Sequence, residues 1–155
     1  MFKNKIIVYT SGTFDMFHYN HLQMIRYARK LGDLLIVGVS TDELVSSYKD
    51  PPVIPFKERM EIIKGLKDPD IVIPQHTLDH TETIRKLHLD AFVVGDDWYG
   101  KYDYLEELGV NVFYFPYGNG ISSSGLKKSI LRSYNKYLHE ARKTKPSVSG
   151  KKPGK

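Results

Sequence analysis

Lys5-Ile6-Ile7-Val8-Tyr9, a polar stretch from Thr10 to His21, the periodic set Leu22, Ile25, Ala28 and Leu31, and then Leu34-Leu35-Ile36-Val37-Gly38-Val39 read as strand, loop, helix and strand in succession. Both apolar runs are too continuous to leave a face for water, which is the pattern of parallel strands covered on both sides. The unit recurs along the chain. Ile71–Ile73, Ala91–Val94 and Val110–Phe115 read as three further buried strands, while Phe56, Met60, Ile63 and Leu66, and then Ile84 and Leu87, mark the helices between them. Gly32 and Gly109 stand where helix ends favour a left-handed residue. A last helix after Ser122–Ser124 is expected to turn Leu126, Ile130, Tyr134 and Leu138 inward at spacing four. Strands alternating with helices predict an α/β fold, a doubly wound five-stranded parallel sheet of Rossmann-like type.

The chain of 155 residues fits one domain, and its 41% hydrophobic and 26% charged residues allow a full core without disulfides. With no cysteine, thiol catalysis and thiolate metal sites are excluded. No apolar stretch approaches the roughly 20 residues needed to cross a bilayer, and no secretory leader pattern opens the chain, so a soluble cytoplasmic location without membrane insertion is expected. The net charge of +5 is unevenly spread. Residues 141–155 carry six Lys or Arg and no acid, leaving −1 on residues 1–140. The first 140 residues are therefore expected to form the domain, and 141–155 a disordered basic tail that is either solubilising or a tether to an anionic surface. A near-neutral body without a basic and aromatic stripe argues against a nucleic-acid partner.

In a doubly wound sheet, ligands bind beyond the carboxyl ends of the strands, so the residues after Tyr9, Val39, Val94 and Phe115 carry the functional question. Gly12-Thr13-Phe14-Asp15 leads to His18 and His21, two imidazoles three positions apart at a helix start, where backbone N–H groups and the helix dipole favour phosphate. A metal pair is the competing reading, but zinc would want a third protein ligand and none has comparable spacing. Gly12 is expected to permit close backbone approach. After the fourth strand, Gly95-Asp96-Asp97-Trp98 combines carboxylates with the only tryptophan. Gly120-Ile121-Ser122-Ser123-Ser124 opens the last helix as a second anion seat, the alternative being a plain N-cap.

The motif Gly12-Thr13-Phe14-Asp15 with His18-x-x-His21 resembles the GTFD and HxGH signature of the cytidylyltransferase family within the nucleotidyltransferase superfamily. The resemblance continues through Ser40-Thr41-Asp42-Glu43, Lys49-x-Pro51-Pro52-Val53 with Glu58-Arg59, Gly95-Asp96-Asp97-Trp98-Tyr99-Gly100-Lys101 and Gly120-Ile121-Ser122-Ser123. It implies transfer of CMP from CTP to a phosphomonoester acceptor, most simply glycerol 3-phosphate, with release of pyrophosphate. It assigns His18, His21 and Lys49 to catalysis. Thr10, Gly12, Thr13, Phe14, Asp15, Asn20, Gly95, Asp97, Gly120, Ile121, Ser122 and Ser123 are expected to line the nucleotide site. Lys49, Asp96 and Trp98 are expected at the acceptor, Trp98 having a core lid as its alternative. Mg²⁺ is the implied counterion of the triphosphate, held mainly by phosphate and water oxygens, with no protein ligand assigned.

Two positions depart from the family pattern. Asn20 replaces the glycine of HxGH, and Tyr117 replaces an arginine shortly before the GIS segment. Asparagine tolerates positive φ, so the backbone geometry can survive while the side chain projects toward the nucleotide. Losing the arginine removes a charged fork suited to phosphate. Other acceptors therefore stay open, namely phosphoethanolamine, phosphocholine or a sugar phosphate, as do adenylyl transfer of the FAD synthetase kind and a nucleotide-binding module without turnover. Lys67 and Asp70 fall where the family places charges at a homodimer contact. His76, His80, His88 and His139 form no usable spacing and read as surface residues.

Overall fold

Three aspartates set the amino edge of the sheet, and all three do it in the same way. In the computed structural model, which describes residues 4–144, the N–H of Asp33 donates to the Ile6 carbonyl (2.8 Å) and its carboxylate accepts from the Ile6 N–H (2.9 Å). Asp70 forms the same reciprocal pair with Leu35 (2.9 and 2.8 Å), and Asp90 with Ile7 (2.9 and 2.7 Å). Each stands immediately before a strand, so a charge-assisted bond fixes the register where the ladder begins. The opposite edge is left for chemistry.

The elements are β1 (Ile7–Gly12), α1 (Tyr19–Arg29), β2 (Leu34–Ser40), α2 (Asp42–Ser46), α3 (Phe56–Lys64), β3 (Ile71–Gln75), α4 (Thr81–Leu87), β4 (Ala91–Gly95), β5 (Asn111–Phe115) and α5 (Ser123–Thr144). Two short 3-10 helices, Asp96–Trp98 and Asp103–Leu108, lie between β4 and β5. The sheet is parallel throughout in the order β3-β2-β1-β4-β5, as the apolar runs predict. Strand order reverses between β1 and β4, which places the ligand crevice at their carboxyl ends.

Period-two alternation explains why the strands look continuously apolar. Val8, Leu35, Val37, Val39, Ala91 and Val93 pack on one face with Met24, Ile25, Ala28 and Ile63. Ile7, Tyr9, Ile36, Phe92 and Val94 pack on the other with Ile84, Leu89, Tyr102, Leu105 and Val110. The edge strands are the exceptions: no residue of β5 is fully buried, and β3 leaves Ile71 and Pro74 exposed, proline being tolerated there because one side of its backbone has no partner strand. β1 begins two residues later than the apolar run and extends through Thr10 and Ser11, which pair with Val37 and Gly38. Thr10, expected at the nucleotide, is fully buried in β1, and its hydroxyl has no hydrogen-bond partner within the protein.

The two glycines read as helix ends divide. Gly109 is left-handed with φ +82°, as expected. Gly32 does not adopt positive φ; a Cβ there would lie 2.6 Å from the Ile6 carbonyl oxygen, so its role is close approach to the strand. His80 corrects the surface reading of the four histidines. It is buried against Tyr9, Phe92 and Tyr102, because the second core cluster closes over the start of α4.

Burial pushes the His80 imidazole down to about 4, with Asp79 opposing. Between that value and the ordinary 6.5, the unfolded chain binds the proton that the folded chain refuses, so stability is complete above about pH 6.5 and declines as pH falls toward 4. At pH 4.5 the loss from this residue is about 2.5 kcal/mol. Urea unfolding at pH 7 and pH 4.5 should show that loss in the wild type and a much smaller one in His80→Gln. Equal losses in both would assign the acid sensitivity elsewhere.

Contacts divide the chain into units, Met1–Ser123 and the segment from Ser124 onward. Helix α5 continues through Thr144, so residues 141–144 belong to it rather than to a tail, and 145–155 lie outside the described residues. Ile130 and Tyr134, expected to face inward, are exposed. Spacing four defines a helix face but does not supply a surface to cover it. Among the described residues no helix is long and apolar enough to cross a membrane.

Candidate active site

The loop from β1 to α1 is held in a conformation that its residues do not prefer. Phe14 (φ +53°) and Met16 (φ +50°) both occupy the left-handed region, and such non-glycine geometry costs about 1–2 kcal/mol per residue unless the surroundings impose it. What imposes it is Asp15 between them. The Val53 N–H donates to Asp15 Oδ2 (3.0 Å) and the Ile54 N–H to Oδ1 (2.9 Å), binding this loop to the segment that follows Lys49. Asp15 is expected beside the phosphates; its carboxylate accepts from two loop amides and acts electrostatically on His21. Phe14 is buried in the core, and a Cβ on Gly12 would meet its ring at 3.3 Å, so Gly12 makes room for a protein ring.

His18 caps α1 and His21 sits in its first turn, with ring centroids 3.7 Å apart and planes within 20°. The His18 N–H donates to Nδ1 of His21 (3.3 Å). That bond fixes the neutral tautomer, leaving Nε2–H of His21 as a donor. Burial pushes His21 down to about 3; His18 acts in the same direction, Asp15 opposes and Lys49 adds a smaller push. Burial also lowers His18. No acidic residue occupies the first turn of α1, so the helix itself places no carboxylate against the positive end of its dipole. The result is a seat of neutral imidazole donors at a helix N-terminus, suited to a phosphate.

Across the crevice, Asp96 and Trp98 lie in the 3-10 helix after Gly95. Local desolvation and the Asp96 carboxylate push Asp97 up, against a pull from Lys49 and Lys101. Lys49 thus acts electrostatically on both His21 and Asp97. Its neighbour Tyr48, which sequence reasoning missed, packs at 6.0 Å on Trp98, itself half-buried against Tyr102. Lys49 Nζ stands 5.4 Å from the Tyr48 ring and Lys101 Nζ 4.9 Å from the Trp98 ring.

The third wall is residues 117–123. Tyr117 lies against Gly95, where any Cβ would strike its ring at 2.1 Å, and its hydroxyl donates to the Met24 sulfur (3.4 Å). Gly120, Ile121 and Ser122 lie in this segment, directly before α5. The Ser123 hydroxyl, expected at the nucleotide, donates to the Asp15 carbonyl (2.6 Å). Asn20 is buried in the first turn of α1 without positive φ, contrary to the backbone role expected of it. Its amide donates to Ile121 O (2.7 Å) and Gly118 O (3.3 Å).

Arg59 and Asp42 were also missed as parts of the site, although both sit in motifs that stand out in the sequence. Fully buried Arg59 donates to the carbonyls of Thr13, Ser40 and Ile54 and to Asp42 Oδ1. Among the described residues no three or more His, Asp or Glu side chains are grouped so that they could hold a metal ion.

The cytidylyltransferase-like family model matches residues 9–129. The chain belongs to the cytidylyltransferase-like family. It is 39% identical over 127 residues to the glycerol-3-phosphate cytidylyltransferase of Bacillus spizizenii strain W23, covering 81% of this chain and 96% of that protein. Identity to the ethanolamine-phosphate cytidylyltransferase of Arabidopsis thaliana is 41% over 100 residues, or 61% of this chain and 24% of that protein. Among solved structures, the lipopolysaccharide core biosynthesis protein of Thermoplasma volcanium superposes with a TM-score of 0.64 at 26% identity, over 76% of this chain and 99% of that one. This cytidylyltransferase is a CTP-dependent nucleotidyltransferase, and the reversal of strand order, beyond which such sheets bind ligands, falls at the carboxyl ends of β1 and β4.

Proposed function

We propose that the enzyme joins CTP to glycerol 3-phosphate, forming CDP-glycerol and pyrophosphate. A phosphate oxygen of the acceptor attacks the α-phosphorus of CTP; the new O–P bond forms as the bond to the β-phosphate oxygen breaks. The attacking oxygen is already anionic, so no general base is needed, and catalysis rests on positioning and charge neutralisation. His18 and His21 donate N–H groups to the triphosphate, His21 toward the departing pyrophosphate, while Lys49 neutralises the meeting anions. MgCTP is the substrate form, its cation held by phosphate and water oxygens.

One observation favours this acceptor over a cationic one. The aromatic faces at the crevice that could hold an ammonium, Tyr48 and Trp98, already carry Lys49 and Lys101. A second cation there meets repulsion in place of a cage. The uncharged hydroxyls of glycerol 3-phosphate meet none. The greater coverage of the glycerol-3-phosphate relative points the same way.

A homodimer and a cytoplasmic location belong to the same proposal. Lys67 is exposed and available to a partner copy, whereas the Asp70 carboxylate is taken up by Arg29 (2.7 Å) and the Leu35 N–H. Pyrophosphate release, measured with CTP, ATP, GTP and UTP crossed against glycerol 3-phosphate, phosphoethanolamine, phosphocholine and a sugar phosphate, tests the reaction. CTP with glycerol 3-phosphate should turn over fastest. An equal or faster rate with ATP, or with either amine-bearing acceptor, would refute the assignment.

A further inference from the structure

We infer that Asn20 is a positioning residue, which holds the 118–121 segment against the start of α1 before any nucleotide arrives. The inference rests on the cytidylyltransferase reading and concerns a residue that the family pattern fills with glycine.

The Asn20 side chain is 7% exposed, and its single amide nitrogen has two protons and two carbonyl acceptors, Ile121 O at 2.7 Å and Gly118 O at 3.3 Å. Both protons are committed, so the amide has none left for a ligand. The acceptors lie about a hundred residues away in sequence, so the side chain joins two walls of the crevice. A second bond, from the Ser123 hydroxyl to the Asp15 carbonyl, fastens the same segment two residues further on. At its other end Tyr117 packs on Gly95 and reaches Met24. The segment is therefore fixed by neutral hydrogen bonds and ring packing, all made within the protein.

This links the two departures from the pattern. An arginine at position 117 could be ordered by the charge of a bound phosphate, whereas Tyr117 carries no charge for a phosphate to attract. Asn20 supplies the order in advance, so binding does not have to immobilise the segment. Removing the amide should weaken CTP binding and leave the chemical step, which His18, His21 and Lys49 serve, little changed.

The test compares wild type, Asn20→Gly and Asn20→Asp, the last keeping the size of the side chain but presenting only acceptors to the two carbonyls. Amide hydrogen exchange of residues 118–123 without nucleotide should quicken at least about tenfold in both variants. The KM for CTP should rise about tenfold in Asn20→Gly and more in Asn20→Asp, with kcat within about twofold. Thermal melts identify a variant that fails to fold, in which case the other decides. Unchanged exchange overturns the inference whatever the kinetics, since a raised KM would then mean direct nucleotide contact. Faster exchange with unchanged KM also overturns it, because the bonds would be structural only. Wild type without turnover on any acceptor would defeat the functional reading instead, and the exchange result would still report whether Asn20 holds the segment.

Discussion

His21→Ala should lower kcat by at least about 100-fold while the protein keeps its fold, because a preorganised donor to a charge that grows in the transition state is typically worth about 3–4 kcal/mol. Charge grows on the oxygen that leaves with pyrophosphate, and His21 is the histidine whose proton position is fixed, by the His18 N–H on its Nδ1. His18 should also be severe, since its ring stacks on His21 at 3.7 Å and its backbone sets that tautomer. The pH dependence follows from the same geometry. With His21 held down to about 3, the imidazole is neutral in the free enzyme at every pH above about 5. Hence kcat/KM should not decline as pH rises through 6.5. A decline there would make imidazolium the active form and sink the neutral-donor assignment, and near-normal kinetics in His21→Ala with an unchanged melting curve would sink the catalytic one.

How much of this was legible depended on whether a residue's partners are near in sequence or summed over many neighbours. The inner strands β1, β2 and β4 were readable because burial on both faces makes each run apolar without any single contact mattering. His18 and His21 were readable because helical spacing alone brings them together. Asp15 was not, since its acceptors' partners, the amides of Val53 and Ile54, are nearly forty residues away and leave no trace in composition. The reciprocal aspartates at the sheet's amino edge do leave one: Asp33, Asp70 and Asp90 each directly precede an apolar strand. His80 misled because a lone polar residue in a turn gives no sign of the aromatic rings that later close over it. The exposed face of α5 misled in the opposite direction, apolar spacing being a necessary condition for packing and not a sufficient one.

Arg59→Met should cost about 3–5 kcal/mol of stability, a large share of the 5–15 kcal/mol typical of a domain, and should impair turnover in whatever protein remains folded. Two contributions compete for that cost. The ion pair with Asp42 is short at 2.6 Å, but the Asp42 side chain is 43% exposed and would be rehydrated once the arginine left. Its share is therefore modest. The larger share comes from the carbonyls of Thr13, Ser40 and Ile54, which the fully buried guanidinium satisfies together and which no water reaches without opening the packing. Those carbonyls belong to the GTFD loop, the end of β2 and the segment after Lys49. Arg59 is thus what keeps the histidine wall and the lysine wall at a fixed separation. Urea unfolding of Arg59→Met, Arg59→Lys and Asp42→Asn separates the two contributions. Asp42→Asn should lose about 1 kcal/mol or less, and Arg59→Lys should fall between it and Arg59→Met, since a single ammonium cannot reproduce a planar fork reaching four acceptors. If Asp42→Asn lost as much as Arg59→Met, the ion pair would be the main contribution and the carbonyl bonds incidental; if Arg59→Met stayed within about 1 kcal/mol of wild type, neither would hold the site together.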